Sequence, residues 1–219
     1  MIEWQTRVEC QRHRNEGWGY FLLFLQQQKE IIYSASDIMD LAVSILILFI
    51  LSFQVMPVAL GIDVQKSGWI QAGSIILILF AGQLLFFLLG TWLGNHFMYL
   101  IGGIRKGVLF VGFFLIGVRY SMEAFKIRKG ERTYLLEKAN GSILPSVAQS
   151  MNTFLAGILF YFIQVNLVND LIYLGLFSFS LSLLFALIKG EKLALSAISL
   201  LYMVGGGLLS LISFYFAFV

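Results

Sequence analysis

The stretch WIQAGSIILILFAGQLLFFLLGTWL, residues 69–93, decides the class of this protein. It contains no Asp, Glu, Lys or Arg. A helix rises roughly 1.5 Å per residue, so a run of this length exceeds the roughly 30 Å hydrocarbon core of a bilayer. Backbone polar groups inside lipid must pair with one another, which leaves a helix as the conformation for such a run. The alternation over ten-residue units that marks a barrel strand is absent.

Outward from this span, the same reading predicts helices over Leu41–Leu60, Val108–Phe125, Ile143–Val165, Leu171–Ile188 and Leu193–Phe218. Short polar stretches separate them: Gly61–Lys66, Gly94–His96, the charged Lys126–Asn140, a tight turn at Asn169-Asp170, and Lys189–Lys192. A short apolar piece, Phe97–Ile101, is expected at the interface before the third helix. The fold class is therefore all-α, a polytopic membrane protein of about six transmembrane helices in two three-helix halves.

Composition agrees. Of 219 residues, 59% are hydrophobic and 12% charged, with a mean hydropathy of +0.85; soluble domains carry about 25% charged residues. The net charge of +3 is small and its cations lie mostly in short loops, so the partner is the lipid bilayer rather than nucleic acid. One cysteine, Cys10, supplies neither an intramolecular disulfide nor a thiolate metal cage.

Loop cations set an orientation. Lys66, the group Lys126, Arg128, Lys129, Arg132 and Lys138, and the pair Lys189 and Lys192 all fall in loops 1–2, 3–4 and 5–6. Loops 2–3 and 4–5 hold only Arg105 and Lys106. The first set is expected in the cytoplasm, with both termini outside. Residues 1–38 read as a tail, and 39–219 as the membrane domain. Within the tail, Trp18–Leu25 is too short to span, and no signal peptide order is present. An interfacial segment and a start of translation near Met39 both fit it.

Enzymatic signatures are scarce. His13 and His96 stand in no His-Glu-x-x-His pattern, and no nucleophile–base spacing appears, so an enzyme is not expected. Polar residues within spans are the better clues, since they usually face a bundle interior or a pathway. The first span holds Ser52 and Gln54, then Pro57, which is expected to free a carbonyl near Phe53. Gln83 lies in the second span, and Gln149, Ser150, Asn152 and Thr153 in the fourth, with Gln149 and Asn152 on one face. Ser178 and Ser182, and Gly205-Gly206-Gly207 with Ser210, read as packing surfaces. Arg119 and Glu123, four apart, form a structural or gating pair, with snorkelling toward the loop as the plainer account.

Several stretches resemble the MntP-type manganese efflux pumps, a six-span bacterial family within the LysE-like exporter group. The resemblance covers roughly Phe49 to the C-terminus. It rests on Gly61–Trp69, on Leu89-Gly90-Thr91-Trp92-Leu93-Gly94, and on Gly117-Val118-Arg119-Tyr120-Ser121-Met122-Glu123. Ala148–Gly157 and Gln164-Val165-Asn166 complete it. The family's two Asp-Ala-Phe-Ala-like motifs fall on Ser52–Pro57 and on the fourth span, so Ser52 and Asn152 stand where it carries its cation-binding acids.

The resemblance implies a divergent exporter lacking the motif aspartates, in the bacterial plasma (inner) membrane. Its substrate would be a small inorganic cation such as manganese, and no resident cofactor is implied. Ser52, Gln54, Gln149 and Asn152 would line a pathway between spans one and four near the midplane, with Asn152 as a metal ligand through oxygen. A homo-oligomer is compatible with this reading. The alternative is a non-transporting membrane protein, serving assembly or sensing, whose transport site has decayed.

Overall fold

A computed structural model describes residues 39–62, 64–97, 103–130, 142–163, 166–188 and 191–218. The chain divides into a unit Met1–Ala42, of which residues 39–42 are described and helical, and a unit Val43–Val219 that holds the bundle. The tail, the piece at residues 98–101 and Gln164-Val165 lie outside the described residues. Six helices are long and apolar enough to cross a membrane: α1 Met39–Ala59, α2 Gly68–His96, α3 Arg105–Arg128, α4 Ile143–Ile163, α5 Leu167–Leu187 and α6 Ala194–Phe218. The protein is an all-α polytopic membrane protein.

α1 is the most buried of the six, and its apolar residues Ile47, Leu48, Leu51, Met56 and Ala59 lie at the centre of the core. The others turn wide apolar faces outward, with Leu77, Leu115, Leu176 and Leu211 exposed among many. Lipid is as apolar as a leucine, so hydrophobicity does not hold these helices to each other; close backbone approach and buried polar bonds do.

Glycines set the approach. A methyl on Gly157 of α4 would sit 2.5 Å from the Phe87 carbonyl of α2, and one on Gly90 of α2 would collide with the Phe154 carbonyl of α4. Aromatic rings fill the flanks, Phe87 against Phe160 with centroids 5.3 Å apart, and Phe49 of α1 against Phe177 of α5 at 5.2 Å. α3 and α6 meet through Gly117 and Gly206, and Tyr120 stacks on Tyr202 one turn further along at 5.0 Å.

Two local expectations are corrected. The Asn169-Asp170 pair is not a turn but lies in the first turn of α5, which begins at Leu167. Asn166 ends the connection, its side-chain oxygen accepting from the Val168 N–H as an N-cap. Asn and Asp favour caps and first helical turns as strongly as they favour loops, and the sequence pattern alone does not separate the two.

The carbonyl left over by the break at Pro57 lies two residues further back than expected. Phe53–Val55 adopts 3-10 geometry, and the Phe53 carbonyl accepts from the Met56 N–H, so it is not free. Changing from i−4 to i−3 bonding skips a carbonyl in the turn before. The Leu51 carbonyl accepts from Gln83 Nε2 at 3.0 Å and from the Tyr120 hydroxyl at 3.2 Å. Tyr120 also reaches the Ile50 carbonyl at 3.2 Å. The break in α1 is thus sealed by side chains from α2 and α3.

Candidate substrate site

A cavity of about 10 Å³, close to the space one water needs, lies among α1, α3, α4 and α6 and has a mixed polar and apolar wall. Its wall is Gln54, Pro57 and Val58 of α1, Glu123 and Ile127 of α3, Pro145 and Gln149 of α4, and Tyr202 of α6. The 3-10 turn ending at Val55 and the proline at 57 make the α1 side, and Pro145, in the first turn of α4, makes the opposing rim.

The cavity sits toward one end of the bundle rather than at the midplane. Glu123 is five residues from the end of α3, about 7 Å at helical rise. Pro145 is two residues into α4, and Pro57 two from the end of α1. This is the end that carries the cation-rich connection between α3 and α4.

The site residues named from sequence separate into two groups. Gln54 and Gln149 face each other's helices across the cavity, 2% and 7% exposed. Ser52 and Asn152 are buried but are not part of its wall. The Ser52 hydroxyl donates to the Phe49 carbonyl of its own helix at 2.6 Å. Asn152 lies three residues deeper along α4 than Gln149, and its Oδ1 finds no hydrogen-bond partner.

A chain of hydrogen bonds ties three spans behind the cavity. Gln83 Nε2 of α2 donates to Thr153 Oγ1 of α4 at 3.3 Å, and Thr153 Oγ1 donates to Gln54 Oε1 of α1 at 3.1 Å. This leaves Gln54 Nε2, Gln83 Oε1 and both polar atoms of Gln149 buried without partners. Each such group costs about 1–3 kcal/mol in a folded interior. Three of these atoms, on Gln54 and Gln149, belong to residues of the cavity wall and therefore need a physical reason.

Arg119 and Glu123, read from sequence as a structural or gating pair or as side chains snorkelling toward the loop, do pair. Glu123 is buried against the cavity, while Arg119 Nε donates to its Oε1 at 3.4 Å from a more exposed position. The i, i+4 spacing found the pair but not which partner points inward. Pro145 and Tyr202 carried no sequence signal that set them apart from ordinary helix residues. Among the described residues, no group of three or more His, Cys, Asp and Glu is placed to hold a metal ion.

The wall brings two glutamine amides and one carboxylate together. Gln149 Oε1 is bare and Gln54 Oε1 already accepts from Thr153, so Glu123 and Gln149 carry the oxygens best placed for a small hard cation, which favours oxygen donors. No curated protein and no solved structure matches the chain. A family model described as "Putative manganese efflux pump" matches residues 63–216, covering α2 to α6 nearly whole, and the chain belongs to this MntP family of membrane transporters.

Proposed function

We propose that this protein exports a divalent cation, manganese first, and that the cavity between α1 and α4 is where the ion is taken up. The observation that carries the reading is the meeting of Gln54, Gln149 and the Glu123 carboxylate in one cavity, with Gln149 Oε1 unpartnered. Asn152, one turn deeper with a free Oδ1, is the next oxygen along α4 toward the far side. Ser52, whose hydroxyl donates to the Phe49 carbonyl, stands outside the cavity wall and is not assigned to the uptake site.

The direction of export is supported by charge. The cavity lies at the bundle end expected in the cytoplasm of a bacterial plasma membrane, with both termini outside. An exporter loads at that end. The alternative, a protein whose site has decayed into packing, requires amides satisfied by neighbouring helices. The bare atoms of Gln149 and Asn152 speak for the exporter instead.

The test is a manganese challenge in cells lacking their own exporter, with intracellular metal read by mass spectrometry. The chain should lower manganese, and Gln149→Leu or Asn152→Ala should abolish the effect. Unchanged manganese in cells with confirmed membrane insertion, or full activity in both variants, would overturn the proposal.

A further inference from the structure

Neutral oxygens bind a divalent ion weakly, since dehydrating it into an uncharged site is costly. The motif positions, Ser52 and Asn152, bring no charge. One carboxylate does reach the cavity, from a helix outside the motif pair: Glu123 of α3 is 8% exposed and forms part of the wall with Gln54 and Gln149.

We infer that Glu123 is the charged ligand of the substrate site and that Arg119 is its removable counter-ion. The inference rests on the exporter reading and names the charge that reading lacks. It is carried by an asymmetry within the pair. The Glu123 side chain is 11% exposed and that of Arg119 is 38% exposed. The carboxylate is fixed against the cavity, whereas the longer guanidinium has open space to withdraw along its apolar stem.

The resting pair at 3.4 Å keeps the buried carboxylate neutralised when no substrate is present. An arriving dication brings twice the charge of a guanidinium and is coordinated by Glu123, Gln149 and Gln54. Arg119 then leaves, because two cations on one carboxylate repel. Return of Arg119 would push the ion onward and restore the neutral site. The cycle moves charges only, with no bond made or broken.

The decisive experiment measures manganese binding to the purified full-length chain in detergent by titration calorimetry, using manganese chloride, alongside melting curves without metal. E123Q should weaken binding at least tenfold with little change in melting. E123D should fall between it and wild type, and R119Q should tighten binding severalfold by removing the competitor. A purely structural pair would instead lower melting in both E123Q and R119Q and tighten nothing. Wild-type protein that binds no divalent ion overturns the exporter reading together with this one. Wild-type binding undiminished in E123Q overturns the Glu123 assignment alone. If E123Q is lost from the membrane, R119Q decides: unchanged or weaker binding contradicts the inference.

Discussion

Gly117 of α3 and Gly206 of α6 lie face to face, so close that a methyl on either would come 2.7 or 2.6 Å from the other's carbonyl oxygen. Each is followed four residues later by a serine that donates back to it, Ser121 to the Gly117 carbonyl at 3.1 Å and Ser210 to the Gly206 carbonyl at 3.0 Å. Spans three and six thus meet through the same device from both sides. The contact holds Tyr120 against Tyr202, and with it the α3 and α6 walls of the cavity.

Gly206→Ala should therefore destabilise the bundle by about 1–3 kcal/mol, since backbone atoms cannot move aside as a side chain can. Gly207→Ala, one residue on, meets nothing within 4 Å and should be neutral or slightly stabilising. Thermal melting in detergent compares them; equal melting of the two variants would contradict the packing described.

The Leu51 carbonyl has two donors, Gln83 and Tyr120, from different helices. Gln83→Met and Tyr120→Phe should each cost little, about 0.6 kcal/mol on the scale of single polar contacts within membranes. Together they leave the carbonyl bare, at a cost of about 1–3 kcal/mol. A double-mutant cycle on unfolding free energy should show the pair costing clearly more than the sum. Simple additivity would mean the carbonyl has another donor.

Asp170 is buried in the first turn of α5 with Oδ1 unpartnered. The helix N-terminus returns about 0.3–1 kcal/mol to a negative charge there. An under-bonded buried carboxylate costs more than that. Asp170→Asn should raise the melting temperature at neutral pH, read by the same melting assay. A lower melting temperature would mean the second oxygen holds an interaction that the amide cannot replace.

The six spans were legible because length and apolarity alone identify a lipid-crossing helix, and the α2 run, without a formal charge, left no other choice. The family was legible from spacing, as in Gly117-Val118-Arg119-Tyr120-Ser121-Met122-Glu123. The site was legible only in part. Gln54 and Gln149 stood out as polar residues in lipid, and both reach the cavity. Ser52 stood out equally, yet its hydroxyl bonds its own helix, a choice small side chains make locally and invisibly. Pro57 advertised a broken helix, but no local pattern could show that Gln83 and Tyr120, distant in sequence, would seal it. Nor does i, i+4 spacing say which member of an ion pair turns inward, because that depends on how α3 is rotated against α6.

The most direct test uses inside-out membrane vesicles, whose exposed face is the cytoplasmic one, and measures manganese accumulation with wild-type protein and with the Gln54→Leu/Gln149→Leu double variant. Accumulation in wild-type vesicles that falls to background in an equally well inserted double variant is the predicted result. Accumulation undiminished in the double variant, or none in wild-type vesicles, would contradict a cation exporter working through this cavity.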